Sequence, residues 1–549
     1  MAAERGPAWA PGPRDRASAA LAMKLAAGLA LFGVLALGTG ELLGGAFFVA
    51  IAAVCWLYAR PDLRARILDW AQSVSEQPSA GLPVLSAREL HARAYQAGAG
   101  AYLATGERGQ WISAPPQSGV LVLAGPRAGK TTCVVIPALL AHPGAVVATS
   151  TKPEVLQATL ATRLQLGEAW FFDLHGHGAP AGTCSLRWSP VTHAGDWQQA
   201  QLVAEAMTGS AEVDHDAAHW IERSGALIAC CLHAAARSHQ GMRELVGWVL
   251  RHDLEAPLAE LEHGSLAHDV LSGIKHTADR ERASIFSTAA RVLRAYRSET
   301  ALRASEDQNF DPEQFCDSTD ALYIAAPAHE QRLLAPLVVG LLTEIRQAVY
   351  RRYYALGAPV IPLLFMLDEC ANIAPLPDLP AMLSEAGGQG LQNVHVFQDM
   401  SQPRRRWGVD AQGMLSLYGA KVIMSGIADK DTLEQLSLLC GDWDRPVQTI
   451  TQQHTSLFSH GGGQSSEAWT TRRERLIPPD QIAQLPQGKA LVMIGPNAQI
   501  VPTLPYHQHP TFAHLANGPL PSPPPVPPRP SPGPPSQTAR ASKSDHSLS

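Results

Sequence analysis

The segment Ala124-Gly125-Pro126-Arg127-Ala128-Gly129-Lys130-Thr131-Thr132 constrains this chain more than any other. It follows the apolar run Val120-Leu121-Val122-Leu123 and opens an apolar stretch of helical pattern, so that strand, small-residue turn and helix succeed one another without interruption. A loop that closes on phosphates needs this order. Small residues let main-chain N–H groups turn inward, and the helix N-terminus adds a favourable dipole. The candidate nucleotide-binding residues are therefore Gly125, Pro126, Arg127, Ala128, Gly129, Lys130, Thr131 and Thr132. Lys130 is placed to neutralise the β- and γ-phosphates of ATP and Thr131 to hold Mg²⁺. One position departs from the G-x-x-x-x-G-K-T pattern: Ala124 stands where the first glycine is expected, with Gly125 beside it as a partial compensation.

A second segment supplies the missing chemistry. Leu363-Leu364-Phe365-Met366-Leu367 reads as a buried strand, and Asp368-Glu369 follow it. Asp368 suits the Mg²⁺ shell and Glu369 suits polarisation of the attacking water. Two carboxylates after a strand are often only a solvated strand end. Paired with Lys130 they gain meaning, because both must meet at the carboxyl edge of one parallel sheet. A third strand, Val394-His395-Val396-Phe397, ends in Gln398-Asp399 and offers Gln398 as a γ-phosphate sensor, against the plainer reading of a hydrogen-bonding strand end.

Short Val, Ile, Leu and Ala runs at 120–124, 146–149, 170–173, 321–325, 363–367, 394–398 and 421–425 alternate with helical patterns and predict an α/β fold built on a parallel sheet. Residues 195–311 carry no convincing strand, with helical stretches at 217–238 and 280–304, and predict an inserted all-α domain. The expected organisation is a cytoplasmic segment 1–24, a two-helix transmembrane hairpin 25–58, a linker and start of the soluble body 59–110, a first motor part 111–194, the all-α insertion 195–311, a second motor part 312–517 and a disordered proline-rich tail 518–549. The hairpin rests on two almost uncharged runs divided by Gly38-Thr39-Gly40 and Glu41. Arg5, Arg14, Arg16 and Lys24 precede it and Arg60, Arg64 and Arg66 follow it, which places both flanks in the cytoplasm. A cleaved signal peptide fits less well, since basic residues lie on both sides and a nucleotide-binding body follows.

The net charge of −6 removes any global basic footprint, so contact with DNA has to come from local patches. Eight scattered cysteines, without a C-x-x-C pair, fit a reduced body lacking structural metal. The close pairs His215/His219 and His175/His177 read as surface residues rather than ligands.

Taken together, the phosphate loop, the Leu-Asp-Glu strand followed by Cys370-Ala371-Asn372-Ile373-Ala374, the later Gln398-Asp399-Met400-Ser401-Gln402 and the amino-terminal hairpin resemble the coupling proteins of type IV secretion and conjugation, the TraG/TraD-like ATPases. Thr151-Lys152-Pro153-Glu154, Trp188-Ser189-Pro190 and Arg475-Leu476-Ile477-Pro478-Pro479 agree with it. The resemblance implies a RecA-like motor, an all-α domain facing the cytoplasm and a homohexameric ring at the inner membrane. It also implies delivery of sequence-independent single- or double-stranded DNA, with a relaxase or secreted protein as cargo, to the channel components. Carried over by position, it assigns Lys130 and Thr131 to phosphate and Mg²⁺, Asp368 to Mg²⁺, Glu369 to water activation and Gln398 to sensing. Rings of this kind also use an arginine from a neighbouring subunit; Arg404, Arg405 and Arg406 are candidates, against a solvated or DNA-facing basic cluster. Two other readings stay open: an FtsK-like double-stranded DNA translocase, and a nucleotide-binding cargo receptor with little turnover.

Overall fold

Strands that are apolar on both faces cannot leave either face in water, so they lie side by side beneath helices. The computed structural model describes residues 84–85, 100–106, 111–174, 176, 178–211, 218–357, 361–452 and 465–517. The expected hairpin 25–58, the segment 1–24, the tail 518–549 and the residues His175, His177 and His215 lie outside them.

Fifteen strands occur among the described residues. They are β1 (Val84–Leu85), β2 (Tyr102–Thr105), β3 (Trp111–Ser113), β4 (Val120–Leu123), β5 (Val146–Ser150), β6 (Ala169–Phe172), β7 (Cys184–Ser185), β8 (Ala321–Ala325), β9 (Leu363–Leu367), β10 (Leu391–Phe397), β11 (Ala420–Ile423), β12 (Asp442–Gln452), β13 (Ser465–Arg475), β14 (Lys489–Ile494) and β15 (Asn497–Pro502). Ten form one sheet in the order β15-β14-β11-β4-β10-β9-β5-β8-β6-β7. It is parallel from β11 to β7, while β14 and β15 add an antiparallel edge. The first three strands make a small antiparallel sheet, and β12 pairs with β13 as a separate ribbon.

Alternation along the strands sorts the core into two layers. Leu121, Leu123, Phe365, Leu367 and Phe397 face one way, against the long helix Gln331–Leu356 and the helical region before β8. Val120, Val122, Leu364, Met366, Val394 and Val396 face the other, against α1 (Thr131–Ala141) and α2 (Glu154–Leu166). Between β7 and β8 the described residues contain helices and no strand: α3 (Trp197–Ser210), α4 (Ala218–Arg237), α5 (Met242–Arg251), α6 (Glu255–Glu260), α7 (Leu266–Lys275), α8 (Asp279–Val292), α9 (Glu299–Arg303) and α10 (Pro312–Cys316).

All seven apolar runs form strands of the large sheet, with ends that differ by up to three residues. The largest difference is at β10, which begins at Leu391 although Gln392 and Asn393 break the apolar pattern. Both are buried, as is His395, whose Nδ1 lies 3.0 Å from Tyr418 Oη and whose pKa burial pushes down to about 3. A strand hydrogen-bonded on both sides has its main chain satisfied, so an occasional polar side chain does not expel it from the core. The long helix, α11 (Gln331–Leu356), is the one helix among the described residues long and apolar enough to cross a membrane. It is packed inside the body, and its buried Glu344 accepts hydrogen bonds from Trp188 Nε1 at 2.8 Å and lies 3.1 Å from His193 Nδ1.

Arg163 on α2 ties the amino edge of the sheet together. Fully buried, it donates at 2.6 Å to the carbonyls of His142, Gly144 and Thr319, which lead into β5 and β8. Burial lowers its pKa to about 10, so the guanidinium stays charged at neutral pH. Replacement by leucine orphans three buried carbonyls and should cost about 3 kcal/mol, read as a lower urea midpoint. Arg163→Lys should recover only part of the loss, because an ammonium lacks the planar fork.

Candidate functional site

The phosphate loop grows out of the centre of the sheet. Ala124 N–H donates to Phe397 O at 3.1 Å and Gly125 N–H donates to Ser425 O at 3.1 Å, so the chain is still held by its neighbouring strands on both sides when the turn begins. Ala124 is fully buried and does not take a positive φ, which is why a glycine is not needed there. Gly125 is the position that does require glycine: a Cβ would sit 2.5 Å from Gly426 O. The turn itself uses left-handed backbone at Arg127 (φ +61°) and Gly129 (φ +91°). A side chain at Arg127 costs about 1 kcal/mol there, and the surrounding hydrogen bonds hold it. Thr131 then opens α1, whose first turn is a π-turn closed by Ile136 N–H on Thr131 O.

Parallel pairing decides what faces this loop. β10 lies between β4 and β9, so Asp368 and Glu369 emerge two strands from the loop at the same carboxyl edge. Lys130 spans the gap: its Nζ is 3.2 Å from Asp368 Oδ1 and makes a short ion pair with Glu369 Oε1. Thr131 Oγ1 is 3.5 Å from Asp368 Oδ2. The Asp368 side chain is only 4% exposed, against 16% for Lys130 and 15% for Glu369. Burial works against the Lys130 charge, but Asp368 and then Glu369 outweigh it and raise its pKa. Burial pushes the Asp368 carboxyl up, Lys130 draws it down, and the net shift is upward. Glu369 adopts the left-handed region (φ +54°) at the start of α12 (Cys370–Ile373), a strained posture for a side-chain-bearing residue that turns the chain sharply after the strand.

Two further residues brace this pair, one through the main chain and one through the carboxylate. Thr149 Oγ1 donates to Asp368 O at 2.9 Å, and Asn372 Nδ2 reaches Glu369 Oε2 at 3.4 Å. Asn372 stood in the sequence as the third residue after Glu369, but only the short helix shows that it turns back; nothing in the sequence marks Thr149. Gln398 follows Phe397, which is level with Leu123, and its main-chain N–H donates to Gln402 Oε1 at 2.9 Å. Pro126 and Arg127 are exposed, Ala128 is half-buried, and Thr132 Oγ1 donates to Gly129 O at 3.2 Å.

The basic cluster is largely occupied. Arg404 ion-pairs with Asp429, which caps α16 (Lys430–Cys440), numbered after α13 (Leu379–Glu385), α14 (Ser401–Trp407) and α15 (Met414–Leu417). Arg406 Nη2 donates to Gly209 O at 2.9 Å on α3, and Arg405 is the exposed member. A wholly solvated or DNA-facing cluster is therefore not what these three residues form. His219 lies on the surface of α4, 3.6 Å from Glu281.

Loss of the ammonium leaves two carboxylates facing each other behind protein. Lys130→Ala should lower stability by about 2 kcal/mol, measured by chemical denaturation without nucleotide, and adding Glu369→Gln should restore part of it.

A family model described as type IV secretory system conjugative DNA transfer matches residues 85–517, which contain the whole of this site and the helical region. The conjugal transfer protein TraG of Agrobacterium fabrum is 24% identical over 381 residues, covering 65% of this chain and 56% of that protein. Protein VirD4 of Rhizobium radiobacter is 22% identical over 408 residues, covering 72% and 56%. The chain thus spans about half the length of the curated relatives it matches. Among solved structures, the unbound bacterial conjugative coupling protein TrwBdeltaN70 superposes with a TM-score of 0.58 at 18% identity, over 78% of this chain and 96% of that one. Plasmid coupling protein TrwB in complex with ADP and Mg²⁺ gives 0.55 at 18% identity, over 78% and 96%. The shared fold carries the same kind of sheet, and the family match runs through most of the sequence: this chain belongs to the type IV secretory system conjugative DNA transfer family.

Proposed function

We propose that this chain is a membrane-anchored ATPase of conjugative transfer and type IV secretion that recruits DNA and drives it towards the transport channel. The observation that carries this reading is the meeting of Lys130, Thr131, Asp368 and Glu369 at one sheet edge. A binding-only protein has no use for the second carboxylate beside the first.

The donor set fits the nucleotide and its metal. Thr131 and Asp368 present hard oxygens on adjoining elements, as Mg²⁺ requires. A Mg²⁺ bound there would neutralise charge on the β- and γ-phosphate oxygens. Lys130 then exchanges its carboxylate partners for phosphate. Glu369, released from Lys130 and still braced by Asn372, accepts the proton of the attacking water. Gln398, at the end of the strand between loop and carboxylates, is placed to register the γ-phosphate, and the link from Met400 N–H to Thr432 Oγ1 at 3.2 Å offers that signal a route to α16. The hairpin 25–58 is assigned as the inner-membrane anchor, with the body in the cytoplasm and a homohexameric ring as the working form. Arg405 is the candidate for the arginine donated to a neighbour. Relaxase-bound DNA or a secreted protein is the proposed cargo, and channel components the proposed partners.

The test is ATP hydrolysis by the full-length chain in lipid nanodiscs, with and without single- and double-stranded DNA. Turnover should rise with DNA, and the stimulation should fall steeply with salt, because phosphate contacts release counterions. Lys130→Ala should abolish turnover, and Glu369→Gln should keep nucleotide binding while lowering kcat by about 10³-fold. Ala124→Gly should leave nucleotide affinity unchanged, since Ala124 sits in ordinary backbone. Nucleotide binding without turnover in assembled rings, under every DNA and salt condition, would instead support the cargo-receptor reading.

A further inference from the structure

On the side of Asp368 and Glu369 away from the phosphate loop lies β5, which ends in Ser150 and runs into Thr151-Lys152-Pro153. Its register against β9 sets Thr149 level with Leu367, so the residues after Thr149 leave the sheet beside Asp368 and Glu369. Neighbouring strands lie about 4.8 Å apart, well within the reach of a lysine side chain. The turn is held firmly. Thr149 Oγ1 is fixed on Asp368 O at 2.9 Å, and Lys152 N–H donates to Ser150 Oγ at 3.1 Å. Pro153 restricts the backbone directly after it, and α2 starts at Glu154. The main chain of Lys152 therefore leaves the sheet at the same edge as the carboxylates, one strand away from them, and Lys152 is exposed.

The Lys152 side chain lies at the surface. Among the described residues its ammonium has neither a hydrogen bond nor a carboxylate partner. Lys421, on β11 across the sheet, shows the contrast: it is buried and donates to Tyr418 O at 2.6 Å. Charge at the site also calls for a second cation. A magnesium-bound nucleoside triphosphate beside Asp368 and Glu369 carries more negative charge than Lys130 alone balances. Lys130 approaches from the loop side, and Lys152 follows β5, the strand on the other side of β9.

We propose that Lys152 is the second cation of this site, binding a γ-phosphate oxygen of the nucleotide held by the same subunit and stabilising the charge that develops there during hydrolysis. The proposal rests on the ATPase reading given above. It makes Lys152 a discriminator between triphosphate and diphosphate, which a lysine serving only the fold would not be.

The test uses the full-length protein in nanodiscs with Lys152→Ala, Lys152→Gln and Lys152→Arg. Binding of mant-ADP and of a non-hydrolysable mant-labelled ATP analogue, each with Mg²⁺, is followed by fluorescence beside kcat and KM. The alanine and glutamine variants should bind the triphosphate analogue about 10-fold more weakly with ADP affinity unchanged, and lose about 10²-fold in kcat. Arginine should recover most of both. Equal loss of ADP and triphosphate affinity, or an unchanged preference between them, overturns the proposal. So does recovery of turnover when Lys152→Ala is mixed with Lys130→Ala in one ring, which would place the lysine in the neighbouring subunit's site. If the wild type binds nucleotide but never turns over, the ATPase reading fails while the affinity comparison still decides the role of Lys152.

Discussion

The Lys130 ammonium between Asp368 and Glu369 joins segments 239 residues apart, and the rest of the body is arranged so that this contact forms. Neither segment reaches the other unaided. The loop needs β4 to aim it, the carboxylates need β9, and the two strands are kept at the right separation by β10, which fills the place between them. Main-chain pairing therefore fixes the distance across which a lysine side chain must reach. Because each of these strands is buried on both faces, a shift along its neighbour would carry Asp368 away from the edge and pull apolar side chains out of their layers.

The edge of the sheet where these groups gather uses left-handed backbone at several positions. Arg127, Gly129 and Glu369 all take positive φ within one small region. Gly125 lies against Gly426 with no room for a side chain, so the segment after β11 forms part of the wall of the loop. A segment near the end of the described residues adds another constraint: Tyr506 N–H donates to Thr132 O at 2.8 Å. Nearby, α17 (Pro479–Ala483) precedes β14, and α18 (Pro510–Ala516) places Phe512 in a stack on Trp111, with ring centroids 4.6 Å apart. Trp111 Nε1 donates to His509 Nε2 at 3.2 Å, and burial lowers the His509 pKa, which favours the neutral ring. The small first sheet and the last helix thus close over the same layer as α1.

Contact between the helical region and the sheet with its covering helices includes a few polar groups. Glu344 on α11 holds Trp188 and His193, and Arg406, beyond β10, bonds to the carbonyl of Gly209 on α3. His193 has its pKa raised, chiefly by the hydrogen bond to Glu344. These bonds tie the segment after β7 and the end of α3 to α11 and α14.

Local chemistry made the core of this architecture legible in the sequence. Uninterrupted apolar runs betray strands buried on both faces, Gly-Lys-Thr after such a run betrays a phosphate loop, and Asp-Glu after another betrays its partner. Runs interrupted by polar residues were less visible: β10 starts earlier than its pattern suggests because flanking strands satisfy its main chain and let Gln392 and Asn393 stay inside. The ribbon β12/β13 and the antiparallel edge β14/β15 have mixed or brief patterns, and their pairing depends on partners distant in the chain. Tertiary structure alone settled that Ala124 replaces a glycine without strain, that Arg404 and Arg406 are engaged internally, that Thr149 holds the Asp368 main chain and Asn372 the Glu369 carboxylate, and that Lys152 is exposed at the end of the strand next to β9. The physical reason is the same in each case: residue type and spacing specify which groups a segment offers, but the distance between groups on different strands is fixed only when the sheet has chosen its order.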